Sequence, residues 1–140
     1  MTEDDLDRVL ELENAIFPNP WRRSFFKSDM VRPQGLSVVA ELEGRVVGYA
    51  VAWGTDEVHL ANLAVEQVLR NRGIGHELMQ AVFAFAEEHH AESMYLEVRL
   101  SNKAARQFYG ALGFVPTYLR KGYYENGEDA IVMEKDVEPK

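Results

Sequence analysis

Two arginines, two glycines and a helix start converge between residues 70 and 75. The segment Arg70-Asn71-Arg72-Gly73-Ile74-Gly75 follows the apolar run Leu63-Ala64-Val65 and leads into a long amphipathic stretch. Glycines let a backbone approach a ligand closely and leave its N–H groups open. The first turn of a helix adds unpaired N–H groups and a partial positive charge. Arg70 and Arg72 add formal charge in a chain whose formal net charge is −8. Together these features make an anion site suited to a pyrophosphate. A Walker A loop would need a Gly-Lys-Ser/Thr ending, which is absent, and a dinucleotide fingerprint would need a third glycine where Leu78 stands. Taken alone, the glycines fit an ordinary helix-start turn equally well.

A carboxylate, an amide and a phenol form a second group. Glu97 lies at the end of the apolar run Met94–Val98, and Asn102 opens a helical pattern that carries Tyr109. Asn102 and Tyr109 are seven residues apart and so share one helix face. A carboxylate near an apolar cleft can have a raised pKa and act as a general base, and a phenol is a plausible acid. The residue pattern leaves other roles open: Glu97 as an edge-strand charge that faces solvent or pairs with Arg99, and Tyr109 as a core aromatic. The histidines read blandly. His59 is on a strand, His76 is in the first turn after the glycines, where it could touch a phosphate, and His89 and His90 end the long helix, where polar groups suit the dipole. None has metal-ligand spacing with a carboxylate, so no metal is expected. The chain has no cysteine, which excludes a cysteine acyl-enzyme and Cys-based zinc sites.

The elements that must position these groups follow from hydrophobic spacing. A helix is expected from about Asp4 to Ala15, with Thr2 and Asp5 capping it. The doubly proline-stiffened loop Phe17-Pro18-Asn19-Pro20-Trp21 follows, then a short helix over Ser24–Met30. Strands are expected at Ser37–Leu42, Arg45–Trp53 and Glu57–Val65, with turns at Glu43-Gly44 and Gly54-Thr55-Asp56. Glu66–Arg72 reads as polar loop, Ile74–His90 as the longest helix, Met94–Val98 as a short strand and Asn102–Leu112 as a helix ended by Gly113. Phe114–Arg120 and Ala130–Lys135 read as the last strands, around a turn at Glu125-Asn126-Gly127. A helix joins the third and fourth strands, so those two can be parallel and the rest antiparallel. The expected fold is α/β (α+β): a single domain over residues 1–140 with one mixed, mostly antiparallel sheet and helices on both faces.

Bulk properties narrow the function. At 140 residues, with 46% hydrophobic and 27% charged residues, the chain fits one soluble globular domain. Its acidity argues against nonspecific nucleic-acid binding and would attract a basic peptide, or simply keep the protein soluble. The acidic start has no secretory pattern, and no apolar run approaches the roughly 20 residues needed to cross a bilayer. A cytoplasmic location and no membrane partner are expected.

Arg70-Asn71-Arg72-Gly73-Ile74-Gly75, with this order of strands and helices, resembles the acetyl-CoA motif of the GNAT acetyltransferases, Arg/Gln-x-x-Gly-x-Gly/Ala. The resemblance covers nearly the whole chain. It implies that Leu63, Ala64 and Val65 pair with the pantetheine arm and that the backbone of the turn, through His76, holds the pyrophosphate. It also implies that an N–H near Val65 polarises the thioester carbonyl. Leu96-Glu97-Val98-Arg99-Leu100-Ser101-Asn102, with Tyr109 beyond, resembles the second conserved block. It implies Asn102 against the cofactor, Glu97 as general base and Tyr109 as proton donor to the departing thiolate.

Within that superfamily, residues 96–102, the stretch Tyr123-Tyr124-Glu125-Asn126-Gly127-Glu128-Asp129-Ala130-Ile131-Val132-Met133 and the early loop Phe17-Pro18-Asn19-Pro20-Trp21 look like the enzymes that acetylate protein N-termini, notably the type acting on the N-terminal alanine of a small-subunit ribosomal protein. The hairpin around Glu125 looks shorter than in some of them. By this resemblance Tyr123 and Tyr124 wall a peptide groove, with Phe17 and Trp21 opposite. Aromatic rings suit that role, although packed loop ends would look the same in sequence. The implied chemistry is direct transfer from acetyl-CoA in a ternary complex. Lysine or small-amine acetylation, or CoA binding without catalysis, are the competing readings.

Overall fold

The computed structural model describes residues 1–137. A 3-10 turn at Glu3–Asp5 leads into α1 (Leu6–Ile16), and α2 (Arg23–Met30) follows. Then come β1 (Gly35–Leu42), β2 (Arg45–Gly54), β3 (Glu57–Val65), α3 (Ile74–Glu88), β4 (Ser93–Arg99), α4 (Lys103–Ala111), β5 (Val115–Arg120) and β6 (Ala130–Asp136). The expected order holds throughout. The stretch read as loop between β3 and α3 contains a 3-10 turn at Gln67–Leu69, and α3 stops at Glu88, two residues before His90, whose φ is +56°. The start of the chain is capped as its residues suggest: the Thr2 backbone N–H donates to Asp5 Oδ2 at 2.7 Å.

The strands form one six-stranded sheet in the order β1-β2-β3-β4-β6-β5. Only β3 and β4 are parallel, the arrangement a helical crossover permits. Alternation along the strands splits the apolar residues between two cores. Ala50, Ala52, Val58, Leu60, Leu96 and Val98 pack against α3 and α4, while Tyr49, Val51 and Ala64 pack with Leu6, Val9, Leu12 and Phe26 of α1 and α2. Helices therefore cover both faces. On α3 the buried residues Leu78, Met79, Val82, Phe85 and Ala86 recur at helical spacing. β5 is an edge strand and is exposed along its whole length.

Two irregularities shape the sheet where the chemistry is expected. Opposite Val51 and Ala52 of β2, strand β3 carries one extra residue, Ala61, which makes a bulge. The β3–β4 pairing is also brief. It runs from Glu57 with Ser93 to His59 with Tyr95 and then stops. Past that rung the two strands pair no further, and a gap opens in the middle of the sheet.

Candidate active site

A cavity of about 520 Å³ borders the end of β3 that runs past its last rung with β4. Leu63, Ala64 and Val65 line it from β3, and Asn102, Ala105, Phe108 and Tyr109 line it from α4. The turn into α3 closes one end with Arg70, Asn71, Gly73, Ile74, Gly75 and His76. Of the turn residues expected here, only Arg72 is absent from the lining. It is exposed, so its charge acts from outside the cavity. Phe17 reaches the same cavity from the α1–α2 loop rather than standing apart from it.

The turn has the geometry that anion binding needs. Asn71 and Gly73 have φ of +67° and +85°, so the backbone reverses direction just before α3 begins. Gly73 is the residue that caps α3, and asparagine and glycine adopt this left-handed conformation most readily. A Cβ on Gly75 would lie 3.2 Å from the Phe108 ring, so a side chain there would crowd the cavity wall. Arg70 Nε donates to the Val65 carbonyl at 3.3 Å, which ties the turn to the end of β3. Asn102 caps α4, its side-chain oxygen accepting the Ala105 N–H at 3.1 Å. Its amide oxygen is therefore engaged, and its NH₂ remains to meet a ligand. This lining of apolar side chains and unpaired helix-start N–H groups, with a guanidinium at the rim, fits a long thiol-linked arm ending in phosphates.

Glu97 lies on the opposite face of the sheet from Tyr109. Its neighbours Leu96 and Val98 point into the α3–α4 core, as Tyr109 does, while Glu97 shares the other face with Tyr95. The Glu97 side chain is 11% exposed, and its Oε1 lies 2.6 Å from His59 Nε2. The His59 ring stacks on Tyr95 at 4.5 Å and meets Trp53 edge-on at 5.4 Å. Arg120 Nε is 3.9 Å from Glu97 Oε2. Neither alternative for Glu97 holds: it does not face open solvent, and Arg99 is engaged elsewhere. Arg99 binds Glu128 at 3.3 Å and stacks over Tyr124 at 3.9 Å. His59 is on a strand, as read, and its contact with Glu97 is new. Parallel pairing of β3 with β4 puts residues 59 and 97 on one face, a relationship that needed the strand register to be seen.

Tyr109 is a core aromatic and a cavity residue at once. Its ring packs edge-on against Phe108 and Phe114, and burial pushes its phenol well above the ordinary tyrosine range. It therefore stays protonated and keeps an O–H to donate. The residue also lines the cavity, beside Phe108 and Asn102.

The acceptor side is framed by two loops. Tyr123 and Tyr124 sit edge-to-face at 5.1 Å in the β5–β6 loop. Burial pushes the Tyr124 phenol up to about 12, against the opposing pull of Arg99. Burial also raises Tyr123; the negative charge of Glu97 adds to that, and Arg120 opposes it. Across from them, Trp21 is drawn toward α2 and packs on Phe26 at 5.2 Å, so part of its ring serves the core. Asn19 Nδ2 donates to Glu125 Oε1 at 2.5 Å and joins the two loops. Among the described residues, no cluster of three or more His, Cys, Asp or Glu side chains is placed to hold a metal, and no helix is long and apolar enough to cross a membrane.

Known proteins give the same picture. Residues 6–114 match the model of the acetyltransferase (GNAT) family. The chain is 31% identical over 138 residues to the [ribosomal protein bS18]-alanine N-acetyltransferase of Salmonella typhimurium, covering 95% of this chain and 92% of that one. It is 34% identical over 143 residues to an N-alpha-acetyltransferase of Sulfurisphaera tokodaii, covering 92% and 86%. The crystal structure of the ribosomal-protein-S18-alanine N-acetyltransferase from Escherichia coli superposes with a TM-score of 0.89 at 28% identity, over 100% of this chain and 92% of that one. With its cavity at the split of β3 from β4 and its glycine turn at the start of α3, the chain belongs to the GNAT family of acetyltransferases.

Proposed function

We propose that the protein moves the acetyl group of acetyl-CoA onto the N-terminal α-amine of a protein, with the N-terminal alanine of a small-subunit ribosomal protein as the favoured acceptor and the cytoplasm as its place of work. The observation that carries this reading is the placement of Glu97, oriented by His59, on the face of the split sheet opposite Tyr109. The names of the relatives from Salmonella typhimurium and Sulfurisphaera tokodaii support an α-amine as acceptor.

In this reading acetyl-CoA lies in the gap, with its pyrophosphate at residues 70–76 and its pantetheine arm along Leu63–Val65. The peptide enters between the Phe17–Trp21 loop and Tyr123–Tyr124. Only a neutral amine attacks, and an α-amine has a pKa of about 8, so a base is needed near neutral pH. Glu97 takes the ammonium proton before attack and passes it to solvent; the neutral amine then forms the new C–N bond, and its second proton is lost as the adduct collapses to the amide. The C–S bond then breaks, and sulfur leaves as a thiolate. A free thiol has a pKa of about 8.5, well below that of the buried Tyr109 phenol, so complete proton transfer from Tyr109 would be uphill. Tyr109 therefore assists as a hydrogen-bond donor to the leaving sulfur.

The test is acetyl transfer to two peptide sets, read by mass spectrometry. One set has free Ala, Ser or Met N-termini and no lysine. The other has blocked N-termini and internal lysines. Transfer to free N-termini, strongest for alanine, is the expected result. Transfer to lysines alone would overturn the acceptor assignment, and CoA binding without any transfer would overturn the catalytic one.

A further inference from the structure

Glu13 is a carboxylate that the chemistry above does not use. It lies in the last turns of α1, and the residue is 1% exposed. Among the described residues, no lysine, arginine or histidine forms an ion pair with it. Its acceptor sites are instead filled by three neutral donors. Oε1 accepts the Tyr49 hydroxyl at 2.5 Å and Asn62 Nδ2 at 2.9 Å. Oε2 accepts the backbone N–H of Trp21 at 2.9 Å.

Each donor belongs to a different part of the protein. Tyr49 is on β2, inside the α1–α2 core. Asn62 follows the bulged residue Ala61 on β3 and directly precedes Leu63, where the acetyl-CoA wall begins. Trp21 ends the loop that carries Phe17 into the cavity and Asn19 to Glu125. A buried charge without a counterion is costly, and an apolar residue would pack α1 against the sheet at less expense. What an apolar residue lacks is an acceptor for the Trp21 N–H. That group sits in a loop, outside any helix or strand, and would otherwise be left without its Glu13 partner.

We infer that Glu13 is a positioning residue that sets the acceptor-side loop in register with the donor strand, and so fixes the width of the peptide entrance relative to the thioester. This rests on the acetyl-transfer reading above. The feature that matters is an acceptor atom facing Trp21, not the negative charge. Glutamine can supply it: its oxygen takes the Trp21 N–H, and its NH₂ donates to the Tyr49 oxygen and to a flipped Asn62 amide, groups that can each reverse their roles. Leucine cannot.

The experiment compares wild type, Glu13→Leu, Glu13→Gln and Tyr49→Phe by acceptor-peptide KM, acetyl-CoA KM and hydrogen exchange of the Trp21 amide. Glu13→Leu should raise the acceptor KM about tenfold, since a shifted loop loses contacts made with the bound acceptor, and should release the Trp21 amide. Its acetyl-CoA KM should stay within about twofold. Glu13→Gln should restore the acceptor KM and the protection. Tyr49→Phe, which removes a donor but leaves Trp21 pinned, should change the melting temperature and leave the acceptor KM alone. An unchanged acceptor KM in Glu13→Leu despite a released Trp21 amide overturns the proposal, as does an equal rise of both KM values. The wild-type protein gives a check that needs no folded variant and no acceptor: a Trp21 amide that exchanges as freely as those of Arg22 and Arg23 overturns the pin. Failure of wild type to acetylate any peptide N-terminus, with Trp21 protected, counts against the acceptor reading and not against the pin.

Discussion

His59 and Glu97 meet just beyond the last paired rung of β3 and β4, with His59 Nε2 at 2.6 Å from Glu97 Oε1. The imidazole is held in place by Tyr95 on one side and Trp53 on the other, so it fixes the carboxylate instead of following it. A base must hold its geometry as the amine approaches, and a neighbour that locks its rotamer supports that. His59→Phe keeps an aromatic ring to stack on Tyr95 and removes the hydrogen bond. It should lower kcat by about tenfold, less than the roughly hundredfold expected for Glu97→Gln. Both variants should bind CoA with wild-type affinity by calorimetry. His59→Gln, which keeps an N–H donor, should fall between wild type and His59→Phe. A wild-type kcat in His59→Phe would remove the histidine from the site.

The glycine turn gives a prediction about the backbone alone. A Cβ on Gly73 would meet nothing within 4 Å, yet its φ is +85°. Gly73→Ala should therefore cost about 1 kcal/mol through left-handed strain, with no steric clash. Because the proposed function has this turn hold the CoA pyrophosphate through its N–H groups, the variant should also weaken CoA binding. Gly73→Asn should recover part of both losses, because asparagine tolerates this conformation. Denaturant melts and CoA titrations of the two variants check the ordering, and equal behaviour of alanine and asparagine would show that conformation is not the cause.

Much of this site could be read from the chain. The glycine turn at 70–75 and the shared helix face of Asn102 and Tyr109 were visible in residue types and spacing, because each depends on local geometry, while their cofactor roles came from the family resemblance. The relationships that were not legible are long-range. His59 with Glu97, Glu13 with Trp21 and Asn62, and Asn19 with Glu125 join residues 38, 8, 49 and 106 positions apart. They depend on which strand neighbours which, on the register between them, and on where pairing stops. The bulge at Ala61 left no signature in composition, and the alternative that Glu97 pairs with Arg99 rested on proximity in sequence. On a strand such near neighbours, i and i+2, do share a face, but Arg99 found a better-placed carboxylate in Glu128.

That carboxylate links the β5–β6 loop to the start of α4. Glu128 Oε2 accepts the Ser101 backbone N–H at 2.9 Å, and Oε1 accepts from Arg99 at 3.3 Å. Hydrogen bonds from Ser101, with Arg99 adding to them, hold its carboxyl below the usual glutamate range. A carboxyl whose pKa is depressed on folding stabilises the protein above its unfolded pKa, and that contribution fades as pH falls through the folded value. Glu128→Gln should therefore melt lower than wild type at neutral pH. The difference should shrink below about pH 4, as the wild-type carboxyl itself takes up a proton. Paired thermal melts across that range decide it. A gap that stays constant into acid would mean that the charge on Glu128 contributes nothing.

Tyr109 gives the sharpest kinetic expectation, because its two roles separate on removal of one oxygen. Tyr109→Phe preserves the ring that packs against Phe108 and Phe114, so the fold and the cavity shape should be kept. It removes only the O–H that the proposed mechanism sets against the departing sulfur. The expected result is a fall in kcat of about tenfold or more with little change in acetyl-CoA KM, since the interaction is made with charge that develops as the C–S bond breaks. The pH profile carries independent information. Burial raises the phenol, so its donor form persists above the ordinary tyrosine pKa of about 10, and wild-type kcat should show no alkaline fall from this group below that pH. An alkaline limb near pH 9 that disappears in Tyr109→Phe would contradict the buried, protonated phenol. A Phe variant with full kcat would leave the thiolate to depart without help, and Tyr109 would then be a packing residue alone.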